Sequence, residues 1–289
     1  MKHSQETKPS DASKSPVPPS DNALQPRTNE QATGKLSPKP STLNPRKVPW
    51  GPWAGIVYAA FVFLASQFLV AFVLYAIADA RGLKGSAVSD WLATVPLQFV
   101  FILFAEVLTF GAIVWFVRRQ KATLGQIGLT KFRWMHAVWA LSGFAVYFVA
   151  YIVLYAFVAK YVPGINVNQE QDIGFKDVSG FVPLALTFVS LVVLPPIVEE
   201  TVFRGFIFSG LRGKYRFILA ALVTSALFAT AHLEFGNGKP LLWIAAIDTF
   251  TLSMVLCYIR EKTGSIVPTI FIHAIKNCLA FLVLYIFVT

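Results

Sequence analysis

The chain has 289 residues, of which 55% are hydrophobic and only 14% charged, with 26 Phe and a formal net charge of +10. A mean hydropathy of +0.59 excludes an ordinary soluble domain. The charge does not point to nucleic acid: no basic stripe is interleaved with aromatic residues, and the cations cluster between apolar runs, where anionic lipid headgroups and the positive-inside rule account for them.

Residues 1–49 hold 9 of the 17 prolines, many Ser and Thr, and no aromatic residue. Such a segment buries too little apolar surface to offset its ordering entropy and reads as a disordered tail. It is too long and polar for the n-region of a cleaved signal peptide. About seven apolar spans follow: Ala54–Ala78, Leu92–Val117, Met135–Val158, Phe181–Ser209, Phe217–His232, Leu241–Ile259 and Ile266–Val288. Crossing a bilayer takes about 20 residues; the fifth span is short by itself and could run on to Phe235. Only helices or closed barrels satisfy the backbone in lipid, so the expected fold is an all-α integral membrane bundle. Residues 50–180 form its N-terminal helices and 181–289 its polar-bearing core.

One set of flanks carries Lys35, Lys39, Arg46 and Lys47, then Arg118, Arg119, Lys121, Lys131 and Arg133, then Arg212, Lys214 and Arg216, then Arg260 and Lys262. The other carries only Arg81, Lys84, Lys160, Lys176 and Lys239. This asymmetry predicts a plasma-membrane protein with a cytoplasmic N-terminus and an external C-terminus. No internal repeat is visible, which counts against a proton-coupled transporter built from inverted halves.

The fourth span carries Glu199, Glu200 and Arg204 where a membrane helix should carry no charge. An ionisable group at bilayer depth costs about 2.5–3.5 kcal/mol on insertion scales, so each needs a partner or a purpose. Glu200 and Arg204 are four residues apart on one face and are expected to pair, leaving Glu199 without a partner on its own helix. Further along, Phe228 and His232 share a face, as do His273 and Asn277. A helical rise of about 1.5 Å per residue puts all these polar groups inside the hydrocarbon, so one buried site drawn from three helices is expected.

A carboxylate beside an imidazole can take a proton from water and generate a nucleophile. A second imidazole with an amide can donate hydrogen bonds to a developing oxyanion. Alternatively, Glu199, His232 and His273 could hold Zn²⁺ with one position open for water; no HExxH helix is present. Glu106 and Asp248 are further intramembrane acids, read as pairing or helix-glue residues. His136 borders a span and reads as interfacial. Cys257 and Cys278 lie in apolar runs and read as two buried structural thiols rather than a disulfide or metal site.

The run Glu199-Glu-Thr-Val-Phe-Arg204 resembles the EExxxR motif of the CAAX-protease and bacteriocin-processing family, also called the abortive-infection family. Phe228-Ala-Thr-Ala-His232 is similar to its FxxxH motif and His273-Ala-Ile-Lys-Asn277 to its HxxxN motif. Thr263-Gly-Ser-Ile-Val-Pro268 also resembles the approach to the third motif. The three occur in order over residues 181–289. The resemblance implies an intramembrane endopeptidase in which Glu199 activates water with help from His232, and His273 and Asn277 polarise the scissile carbonyl. Glu200 and Arg204 would be the supporting pair, with Phe228 beside them. Its substrates would be peptides or lipidated proteins, met among membrane lipids, and its use of a metal is left open. The same resemblance accommodates a non-catalytic partner, such as a bacteriocin-immunity factor or a sensor-kinase scaffold. Lys276 departs from the small, apolar or amide residue expected between His273 and Asn277, and its place on the helix turns it toward Asp248.

Overall fold

The computed structural model describes residues 48–167, 169, 171, 173–176, 178–233 and 240–287. The expected disordered tail, up to residue 47, and Phe235 lie outside the described residues. Every regular element among those described is helical. Helix α1 spans Pro52–Ala80, α2 Ser86–Leu92, α3 Val95–Arg119 and α4 Trp134–Tyr161. A single apolar rod, α5, runs over Phe181–Arg212, followed by α6 (Phe217–Thr230), α7 (Trp243–Thr263) and α8 (Val267–Phe287). Six of these helices (α1, α3, α4, α5, α7 and α8) are long and apolar enough to cross a membrane.

The sequence reading needs correction at two boundaries. Leu92 does not open the second span but closes α2; Thr94 is extended and Pro96 sits in the first turn of α3, where its fixed φ favours a helix start. The fifth span is the short helix α6, which stops at Thr230 and leaves His232 in the turn beyond. Its 14 residues span about 21 Å, less than the roughly 30 Å of a hydrocarbon core.

Helix α5 is irregular where its sequence forces it to be. Two π segments, Val189–Val193 and Thr201–Ile207, flank the α-helical turns Leu194–Glu200. Pro195 and Pro196 lack N–H groups, so the Leu191 carbonyl finds no donor at either i+4 or i+5. Asn277 of α8 supplies the missing bond, its Nδ2 donating to Leu191 O at 2.9 Å. A side chain that repairs a proline break ties α8 to α5.

The bundle packs α6 along α7, α1 along α3, and α4 against α7 and α8. Gly143 of α4 makes the last contact possible: a Cβ there would lie 2.7 Å from Ile272 Cδ1, the close approach that small residues permit in membrane bundles. Trp50 closes the junction of α1, α3 and α5, stacking on Phe206 and donating Nε1–H to the Phe206 carbonyl at 3.3 Å. At the basic ends of α5 and α7, Arg212 grips both carboxylate oxygens of Glu261 at 2.7 and 3.0 Å.

Gly205 lies in the second π segment, where a Cβ would meet the Ile127 backbone carbonyl at 3.0 Å. Backbone cannot rotate away, so Gly205→Ala is expected to cost about 1–3 kcal/mol, read as a lower unfolding midpoint in detergent. Gly111→Ala, facing open space in α3, should leave the midpoint unchanged or raise it.

Candidate active site

Glu200 and Arg204 are fully buried, and Arg204 Nη1 donates to Glu200 Oε1 at 2.8 Å. The pairing expected from their spacing is therefore present. The guanidinium lies 4.3 Å from the centre of the Phe228 ring, a cation–π contact strengthened by the absence of water. Phe228 is itself completely buried. Cys257 of α7 also reaches Arg204, with Ser225 beside it. Cys257 is buried as expected, whereas Cys278 is only half-buried.

His273 of α8 stands between the two glutamates. Its Nδ1 lies 3.1 Å from Glu200 Oε1. A carboxylate can only accept, so Nδ1 carries the hydrogen. Its Nε2 lies 3.9 Å from Glu199 Oε2, too far for a direct hydrogen bond. That Glu199 oxygen is buried without a hydrogen-bond partner among the described residues, although the Glu199 side chain as a whole is 24% exposed. Glu199 is thus a buried carboxylate open on one side with an imidazole nitrogen opposite.

His232 approaches less closely. Its ring lies 4.7 Å from that of Phe228, centre to centre, and Phe228 meets His273 edge-on at 5.8 Å. Phe228 therefore touches both imidazoles. His232 Nδ1 donates to the Phe228 carbonyl at 2.8 Å, which fixes the tautomer and leaves Nε2 as the acceptor in the neutral ring. Among the described residues His232 and Glu199 share no hydrogen bond or ion pair. Asn277 lies one turn beyond His273, with one amide N–H committed to Leu191.

The alternative metal set is not assembled. Among the described residues, no group of three or more His, Cys, Asp or Glu side chains is placed to hold a metal ion. Glu199, His232 and His273 do not fit a Zn²⁺ centre.

The other intramembrane acids differ from one another. Asp248 of α7 is paired as expected, with Lys276 Nζ at 3.1 Å and with the Tyr147 hydroxyl. Glu106 of α3, expected to pair, has no hydrogen bond or ion pair among the described residues. It instead lies within electrostatic reach of Glu199, which makes it a neighbour of the site. A lone acid in an apolar run was the only sequence signal for this. His136 is buried in the first turn of α4, its Nδ1 accepting from the Arg133 N–H.

Residues 181–279 match the family described as type II CAAX prenyl endopeptidase Rce1-like. The Bacillus subtilis protein YdiL, whose name assigns it provisionally to the membrane peptidases, is 32% identical over 145 residues, 48% of this chain and 53% of that protein. An uncharacterised 24.3 kDa protein of Escherichia coli is 27% identical over 179 residues, 61% of this chain and 76% of that protein. The UPF0177 protein YxdF of Lactococcus lactis is 24% identical over 165 residues, 57% and 84% of the respective chains. No solved structure matches. The resemblance carried by three short motifs thus extends over the whole of 181–279, and it is a resemblance to a membrane CAAX protease.

The buried pair gives a stability test. Arg204→Ala leaves the Glu200 carboxylate in an apolar interior with only the His273 N–H as partner, so about 3–5 kcal/mol of stability should be lost. The double substitution Glu200→Gln with Arg204→Met removes both charges and should lose less than Arg204→Ala by itself. Denaturant titration in detergent micelles measures the difference.

Proposed function

We propose that this chain is an intramembrane endopeptidase that hydrolyses peptide bonds of membrane-associated or prenylated substrates with a water activated by Glu199. The observation that carries this reading is the unpartnered Glu199 oxygen facing His273 Nε2 across 3.9 Å. An oxygen atom set to one side of that line comes within hydrogen-bond reach of both, and a carboxylate with a free lone pair is the base such an atom requires.

Water bound there loses a proton to Glu199 as its oxygen attacks the scissile carbonyl carbon. The tetrahedral intermediate carries the negative charge on the former carbonyl oxygen, which accepts a hydrogen bond from the second amide N–H of Asn277, while His273 Nε2, the acceptor of the neutral ring, orients the attacking water. Collapse breaks the C–N bond, and the proton held on Glu199 passes to the departing amine. His232 Nε2, open as an acceptor, assists in handling that proton. Glu200 and Arg204 hold His273 in place and take no part in bond making. No metal enters these steps, since the residues do not fit one.

The match to prenyl endopeptidases favours substrates with a lipid-modified cysteine near the cut. The flanking charges favour an N-terminus in the cytoplasm and a C-terminus outside, with residues 181–289 as the catalytic core and 50–180 as the helices that enclose it.

The test uses the full chain in liposomes with two internally quenched peptides, one farnesylated on cysteine and one unmodified. Glu199→Gln should lower kcat/KM at least about 10²-fold at unchanged unfolding midpoint; His273→Ala should lower it as far, with a lower midpoint because it also takes a donor from buried Glu200, and His232→Ala should also be impaired. Full activity in all three variants would overturn the reading. Dialysis against a chelator should leave the rate unchanged, with metal content followed by elemental analysis.

A further inference from the structure

The residue that departs from the family's third motif, Lys276, is held by a built network. Asp248 of α7 uses both oxygens: Oδ2 lies 3.1 Å from Lys276 Nζ and Oδ1 accepts from the Tyr147 hydroxyl of α4. Tyr147 is buried, with 4% of its surface exposed, so the carboxylate is anchored from behind. An ammonium has three N–H donors; Asp248 occupies one, and no other described residue accepts from the remaining two. The Lys276 side chain is also the more open member of the pair, 25% exposed against 15% for Asp248.

Its position is not incidental. Lys276 follows His273 by three residues on α8, so the two lie on neighbouring strips of one helix surface. It lies within electrostatic reach of Glu199, His232 and His273. Arg204, the other cation that reaches Glu199, is fully buried and committed to Glu200. Asn277 has already given one amide hydrogen to Leu191. The site therefore has a deficit of free donors and, beside it, one fixed cation with donors to spare.

We propose that Lys276 is a further catalytic residue, a fixed ammonium that binds a negatively charged oxygen of the peptide in the site. The proposal rests on the endopeptidase reading. Two oxygens have this chemistry, the oxyanion formed on the scissile carbonyl and a free C-terminal carboxylate of the substrate. The oxyanion is favoured, because Lys276 lies one helical turn from His273.

The experiment compares wild type, Lys276→Met and Lys276→Arg as full-length protein in liposomes, on the farnesylated peptide with a free C-terminal carboxylate and on its C-terminal amide. If the oxyanion is the ligand, Lys276→Met lowers kcat about 10²-fold with KM within twofold on both peptides, and Lys276→Arg recovers part of the loss. If the carboxylate is the ligand, Lys276→Met raises KM for the free acid only, and amidation raises the wild-type KM to match. The proposal is overturned if folded Lys276→Met keeps both constants on both peptides. It is equally overturned if Met and Arg lose activity alike together with a lowered unfolding midpoint, the mark of a purely structural clasp. Should Lys276→Met fail to fold, Asp248→Asn with Lys276→Met removes both charges and strands neither, and the same criteria apply.

Glu199→Gln in the same assay separates the two readings, since its full activity would sink the endopeptidase mechanism whatever Lys276 does. A turnover-free arm uses a phosphonamidate peptide, a tetrahedral anion, on the Glu199→Gln protein. Adding Lys276→Met should weaken its Kd at least tenfold, and an unchanged Kd for both this anion and the free-acid peptide would overturn the proposal.

Discussion

The contact on which the site depends is the fully buried pair of Glu200 and Arg204. Two charges inside a membrane bundle are tolerable only when their geometry is fixed from all sides. Here four helices do the fixing. Helix α5 supplies the pair itself, α6 lays the Phe228 ring over the guanidinium, α7 brings Cys257, and α8 brings His273 to the carboxylate. A charge that cannot be moved thus becomes the reference point for an imidazole that must not move. Glu199, the adjacent residue, is left outside this arrangement and open to a reactant.

The backbone of α5 makes that separation possible. Neighbouring residues on an α-helix point about 100° apart, and the π segments on either side of Leu194–Glu200 reset the register on which each carboxylate projects. Such segments are uncommon, and they concentrate at functional positions because they cost helical stability. The Pro195-Pro196 pair adds an orphan carbonyl at Leu191, and the Asn277 amide satisfies it. The third motif is therefore tied to the first twice, through His273 to Glu200 and through Asn277 to Leu191. Both ties join residues more than seventy positions apart.

Around this core, intramembrane polarity is arranged in layers rather than scattered. Tyr147, Asp248 and Lys276 join α4, α7 and α8 in a second network beside the first. Glu106 of α3 lies within electrostatic reach of Glu199. The apolar surfaces of α1 and α4, with Phe61, Phe68, Phe72, Leu141 and Val153 largely exposed, face outward, as helices in lipid do.

Much of this was legible in the sequence because it is local. Apolar run length gave the spans, i,i+4 spacing gave the Glu200–Arg204 pair, and helix-face arithmetic set Lys276 on another side of its helix from Asn277. These follow from the fixed geometry of one helix, which a pattern of residues carries on its face. Other features follow from which helices touch, and that is set by packing between distant segments. Only the tertiary structure decided that Phe228 touches both His232 and His273, that Asn277 spends a donor on a proline break, that Glu199, His232 and His273 do not close into a metal centre, and that Glu106 is unpaired yet close to Glu199. The chemistry available to the chain was written in its residue types, whereas their distances were fixed by the bundle.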